Sequence, residues 1–161
     1  MIYLNDEEAF FLIISLLDNY DCEKMYMDVS SIRKQLYVHD HLLKKFMPEI
    51  TEHLAKFSIE TITFATGWYM TLFSSVLPFK YFLRIMDIFF LEKWKIIYRV
   101  ALAMLKLKKH RLLAAKNFEE VFMVLKDFSE YENSTIDEDK FFKSACNDFS
   151  FSKKLIVELE R

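Results

Sequence analysis

Arg84 and Asp87 are the sharpest polar feature of this 161-residue sequence. They stand three residues apart in FKYFLRIMDIFF, residues 79–90, where nearly everything else is apolar. On a helix that spacing lets a guanidinium meet a carboxylate. A charge drawn into an apolar interior needs such a partner. The expectation is a part-buried ion pair that fixes helix register, with Arg99 on the next helix as a third member. With Lys80, the two residues form one narrow polar stripe on an otherwise buried rod.

Other chemistries find less support. His39, His41, His53 and His110 show no His-Glu-x-x-His spacing, and Cys22 and Cys146 form no Cys-x-x-Cys, so no metal site is expected. There is no Gly-x-Ser-x-Gly nucleophile motif. With one glycine, Gly67, no phosphate-cradling loop can be written. No cofactor and no catalytic residue are therefore expected. The two cysteines are no disulfide framework and suit a reducing compartment. Lys plus Arg number 22 against 24 Asp plus Glu, which gives no electrostatic footprint for nucleic acid. The basic run KLKKHRLLAAK, residues 106–116, reads as cations gathered at a helix C-terminus, where they meet carbonyls and the dipole.

The elements that must carry these residues read as helices. One glycine and two prolines, Pro48 and Pro78, leave few breakers, and 53% hydrophobic residues provide a core for one domain over 1–161. Asn5 and Glu8 make a capping box for a helix to about Tyr20, apolar nearly all round and so expected to be buried. Residues 18–29 read as a polar loop. A second helix fits 30–47, with Ile32, Leu36, Leu43 and Phe46 on one face, and Pro48 opens a third. Ala65, Trp68, Tyr69, Leu72, Phe73 and Val76 then follow a helical stripe. The opposite side, with Thr63, Gly67 and Ser74, suits contact with other helices. Pro78 begins another helix, and one more covers about 95–109. Asn117 caps a helix in 117–128, residues 129–139 form an acidic loop, and two short helices end the chain. Residues 61–79 carry no charge, but six Ser/Thr, Gly67 and Pro78 make them too polar and too interrupted for a membrane span. The fold class is all-α, with about eight helices.

The stretch ATGWYMTLFSSVLPFKYFLRIMDIFFLEKWKIIYRVALAML resembles the C-terminal half of a TBC domain, the Rab GTPase-activating module. YLNDEEAFFLIISLLDNY resembles that family's segment just after its catalytic glutamine, so the likeness covers most of residues 3–107. It implies a multi-helix orthogonal bundle, with Trp68, Leu72, Phe73, Pro78, Arg84, Asp87 and Arg99 as signature positions that hold the fold. Three positions depart from the family pattern: Gly67 stands for Gln, Met86 for Trp and Lys93 for Gly.

The family is similar in supplying two catalytic fingers to the bound GTPase, an Arg in Ile-x-x-Asp-x-x-Arg and a Gln in Tyr-x-Gln. The Arg neutralises charge developing on the transferring phosphoryl group, and the Gln orients the attacking water. This chain has one glutamine, Gln35, in the wrong context, and none of Arg33, Arg84, Arg99, Arg111 or Arg161 follows the required motif. The resemblance thus implies a Rab-GAP regulator of vesicle traffic whose partner is a GTP-bound Rab, with this chain inactive alone. The alternative is a non-catalytic helical module that binds a small GTPase or another protein. The expected location is cytoplasmic and peripheral on endomembranes, with no transmembrane span. A bare apolar first helix would favour self-association.

Overall fold

The computed structural model describes residues 4–20, 22–133 and 136–160, and among these eleven α-helices and one 3-10 turn account for the regular structure, with no strand. α1 (Asp6–Asn19) starts as its sequence dictates. Glu8 N–H donates to Asn5 Oδ1 at 2.8 Å and Asn5 N–H to Glu8 Oε2 at 3.0 Å, which satisfies two donors the helix leaves unpaired. The expected burial fails. Ala9 is the one buried residue, while Phe10, Phe11 and Ile13 are 60%, 61% and 54% exposed. Leu16, Leu17 and Tyr20 pack on the core at the helix's C-terminal end. The face of its first turns that carries Phe10, Phe11 and Ile13 is left open.

The expected loop at 18–29 contains a helix, α2 (Cys22–Met27). Cys22 and Met25, three residues apart, turn inward. The Tyr26 hydroxyl donates to the Met70 carbonyl at 2.9 Å. A 3-10 turn (Val29–Ser31) leads into α3 (Ile32–Phe46), which buries Ile32, Leu36 and Leu43 as periodicity predicts. α4 (Pro48–Lys56) begins on its proline, whose missing N–H would have had no intrahelical partner there.

α5 (Thr61–Met70) is shorter than its apolar stripe. The stripe reaches Val76, yet the helix closes at Met70 in a Schellman-type end. Phe73 N–H donates to the Trp68 carbonyl at 2.8 Å and Leu72 N–H to that of Tyr69 at 3.2 Å, with Leu72 at φ 48° and Phe73 at φ 68°. α4 ends alike, through Ile59 N–H to Leu54 O and Ser58 N–H to Ala55 O, both 3.0 Å, with Ser58 at φ 55°. Glycine usually takes that left-handed position. Leu72, Phe73 and Leu77 stay buried through the turns at 71–77, so helical spacing persists where the helix does not. Thr63, Gly67 and Ser74 are exposed rather than packed against other helices.

Pro78 caps α6 (Phe79–Glu92), which buries Tyr81, Ile85 and Phe89. After α7 (Trp94–Ala114) come α8 (Phe118–Lys126), α9 (Ser129–Glu132), α10 (Glu138–Asp148) and α11 (Lys153–Leu159). Side-chain oxygens of Asn117, Asp137 and Ser152 cap α8, α10 and α11. α9 converts part of the expected acidic loop into helix. α7 is the axis of the core: Ile97, Tyr98, Val100, Leu102, Met104 and Leu105 are all fully buried. It packs against α3, α4, α6, α8 and α10. Since burying one Leu-class side chain contributes about 1.5–3 kcal/mol, the rest of the bundle is organised around this helix.

Candidate docking surface

The signature residues lie on α5, the turns after it, α6 and α7, but their charges pair otherwise than expected. Arg84 does not bind Asp87. Its Nη1 lies 2.5 Å from Asp139 Oδ1 and 3.5 Å from Glu138 Oε1, and its guanidinium sits 4.8 Å from the Phe142 ring centroid. Two carboxylates in the first turn of α10 outcompete one on the helix's own surface. The bond from Arg84 holds the Asp139 carboxyl below its usual range. Asp87 is exposed and makes no ion pair among the described residues. Nor does Arg99 join them. It is buried, with Nη1 2.9 Å from Glu92 Oε2 and Nε donating to the Phe149 carbonyl at 3.2 Å. Arg84 therefore ties α6 to α10, while Arg99 ties α7 both to the end of α6 and to the tail at Phe149. Trp68 on α5 and Leu72 and Phe73 in the turns after it are buried, with the Trp68 and Phe73 rings 6.1 Å apart, and Pro78 precedes α6.

A finger must be exposed and uncommitted to reach into a partner's nucleotide site. Gln35 is only 6% exposed and faces the core side of α3. Arg84, Arg99 and Arg111 are each held by carboxylates, Arg111 by Asp127 at 2.7 Å and Glu130 at 3.1 Å. Arg33 is exposed, and Arg161 lies outside the described residues. No described arginine is thus presented beside a glutamine that could share its task. Among the described residues no group of His, Cys, Asp and Glu is disposed to hold a metal ion.

The basic run contains the end of α7, as expected, and serves as a seam as well. Lys106 meets Asp148 at 2.7 Å, Lys109 meets Glu49, and Arg111 meets Asp127 and Glu130. One run thereby ties α7 to α4, α9, α10 and the turn after α8, and α7 continues to Ala114. Lys108 is 1% exposed, with Nζ donating to the Leu125 carbonyl at 3.2 Å and lying 4.2 Å from the Phe128 ring centroid. Burial lowers its pKa from 10.5 to about 8. A second buried polar contact joins α3 to α5: His39 Nδ1 lies 2.6 Å from the Tyr69 hydroxyl. Desolvation lowers the His39 pKa from 6.5 to about 4, so the imidazole is neutral at pH 7.

α1 is anchored at one end and open along one face. Three hydrogen bonds fasten its base: Tyr20 hydroxyl to the Phe90 carbonyl (3.1 Å), Trp94 Nε1 to the Tyr20 carbonyl (3.0 Å) and Lys93 Nζ to the Asn19 carbonyl (3.0 Å). Lys93, which replaces the family's glycine, stands at φ 57° and ψ −143°. A side chain is strained there, but this one reaches the end of α1 and lies 5.4 Å from the Tyr20 ring centroid. Beyond that base, Phe10, Phe11, Ile13 and Ile14 form an exposed apolar face, the kind of surface that marks a contact with other protein. Periodicity alone could find this face, but not that it stays bare. Among the described residues no helix is long and apolar enough to cross a membrane.

Residues 1–113 match the Rab-GTPase-TBC domain family. Among similar curated proteins is the TBC domain-containing protein C4G8.04 of Schizosaccharomyces pombe, 27% identical over 159 residues, which are 98% of this chain and 20% of that protein. The GTPase-activating protein GYP5 of Eremothecium gossypii is 32% identical over 123 residues, 76% of this chain and 15% of that protein. The solved Chlamydomonas flagellar RabGAP TBC domain superposes with a TM-score of 0.72 at 27% identity, covering 89% of this chain and 46% of that one. The chain thus spans a fifth or less of these curated relatives and under half of the solved domain. With most of its length matched by the family, the chain belongs to the Rab-GTPase-TBC domain family.

Proposed function

We propose that this chain is the scaffold portion of a Rab-GTPase-activating TBC domain and that the Arg and Gln fingers come from elsewhere in the assembled fold. The exposed apolar face of α1 carries this reading. The solved TBC domain has more than as much chain again as the part matched here, and an open apolar face suits packing by that remainder. In this reading the partner is a GTP-bound Rab, the process is vesicle traffic, and the location is cytoplasmic and peripheral on endomembranes. Trp68, Leu72, Phe73, Pro78, Arg84 and Arg99 hold the scaffold and touch no nucleotide, while Asp87, exposed and without an ion pair among the described residues, adds no tie.

Single-turnover GTP hydrolysis on a panel of Rab proteins tests the reading. The chain alone leaves every rate unchanged. Joined behind the finger-bearing portion of a related TBC domain, it restores stimulation, which an Arg finger supplies at about 10³-fold or more in such chemistry. Acceleration by the chain alone overturns the scaffold role. A Rab that binds the chain without any acceleration in the fused form favours the non-catalytic binding module instead.

A further inference from the structure

A groove of about 700 Å³ opens on the side formed by α3, α4 and the start of α5. Leu36, Leu43, Leu54 and Ile59 close its floor. Its walls are unequal. Tyr37 on α3 is 52% exposed and Ile62 on α5 is 42% exposed, both large apolar groups at the mouth, and the small Ala55 on α4 leaves room between them. The Tyr37 ring is propped by His41 on the same helix, with centroids 4.1 Å apart.

Asp40 and Glu60 edge this groove, and neither makes an ion pair among the described residues. The partner of Asp40 is the Thr61 hydroxyl, which donates to Oδ1. Burial above all, and then the neighbouring Glu60 charge, raise the Asp40 carboxyl, while the Thr61 bond and His41 pull the other way. Arg33 lines the same groove seven residues back on α3, about 10 Å along the helix axis, and leaves both carboxylates unpaired. Two carboxylates beside exposed apolar walls repel phosphate and anionic lipid. They favour a cation carried on an apolar segment, because complementary charge steers and selects partners.

We propose that the α3–α4–α5 groove docks a segment of a partner protein that inserts an apolar side chain between Tyr37 and Ile62 and sets a Lys or Arg against Asp40 and Glu60. This site stands apart from the α1 face and does not depend on the GTPase-activating reading. The test uses two synthetic Ala/Gln helical peptides, each with a pair of Leu one turn apart. One carries a Lys on the Leu face and the other a Glu at that position. Fluorescence anisotropy with the full chain gives the affinities, and amide shifts in an isotope-labelled sample give the place. The Lys peptide binds about tenfold tighter or more than the Glu peptide, with shifts at Tyr37, Asp40, Thr61 and Ile62. Asp40→Asn with Glu60→Gln removes the preference while keeping a hydrogen bond to Thr61. Glu60→Gln alone, at an exposed position, reduces it without risk to folding. Tyr37→Ser weakens both peptides alike. Equal affinity for the two peptides, a preference that survives the double variant, shifts elsewhere on the surface, or no saturable binding of the Lys peptide each overturn the proposal.

Discussion

α1 and α7 are both rich in apolar residues, and they end in opposite circumstances. α7 buries Ile97, Val100, Leu102 and Met104 completely because five other helices close around it. α1 leaves Phe10, Phe11 and Ile13 more than half exposed because its contacts, through Ala9, Leu16, Leu17 and the bonds at Tyr20, Trp94 and Lys93, lie off that face. The difference lies in neighbours, not in composition. An apolar face states that a helix can be covered; the rest of the chain decides whether it is. The core side of this contrast should therefore answer to stability measurements, and the α1 side to association measurements.

The largest effect belongs to α7. Leu102→Ala removes a fully buried side chain and should cost about 2–5 kcal/mol, the range for such truncations in a core that relaxes only partly. Urea unfolding measures it. A loss below about 1 kcal/mol would mean that α7 is less tightly enclosed than its burial indicates.

Next comes the buried polar contact between α3 and α5. The unfolded chain protonates His39 at its ordinary 6.5, while the folded chain resists until about 4. Acid between those values thus favours the unfolded state. Stability present above pH 6.5 is lost as pH falls toward 4, by about 3 kcal/mol. Melting curves of His39→Gln should show a shallower decline than wild type over that window, and parallel declines would show that other groups govern acid sensitivity.

Helix starts were legible in the sequence, because a cap is a contact across three residues. Asn5 with Glu8, Asn117 and Pro48 all act where the sequence places them. Helix ends were not. Ser58 and Leu72 take the left-handed position that glycine would have announced, so α5 stopped short of its stripe without a local sign. Charge partners were not legible, and the pair that the spacing offered within one helix turn, Arg84 with Asp87, does not form. Arg84 was readable as a guanidinium in need of a carboxylate, but Asp139, which reaches it from 55 positions away, was not. α2 escaped notice for a related reason: six residues carry too little periodicity, and Cys22 and Met25 are buried by what lies above them.

A smaller effect, of opposite sign, lies on the open side of α5. Gly67 is helical and exposed, and a methyl group added there would meet no atom within 4 Å. Gly67→Ala should raise stability by about 0.5–1 kcal/mol, since alanine loses less backbone freedom in a helix. Destabilisation by thermal melting would reveal a close approach that the folded chain does not show.

The smallest effect on stability belongs to α1, and it sharpens the contrast most. Phe11→Ser replaces a side chain that is 61% exposed, so unfolding free energy should change by less than about 0.5 kcal/mol. The same substitution should strongly affect association. A bare face of Phe10, Phe11, Ile13 and Ile14 should draw copies of the chain together, so light scattering of wild type should report oligomers that Phe11→Ser with Ile13→Ser reduces. If wild type is a clean monomer at high concentration, α1 is a solvent-adapted surface and the chain works as an autonomous module. If the double variant loses as much stability as Leu102→Ala, α1 belongs to the same cooperative core as α7, and the two helices differ less than their burial implies.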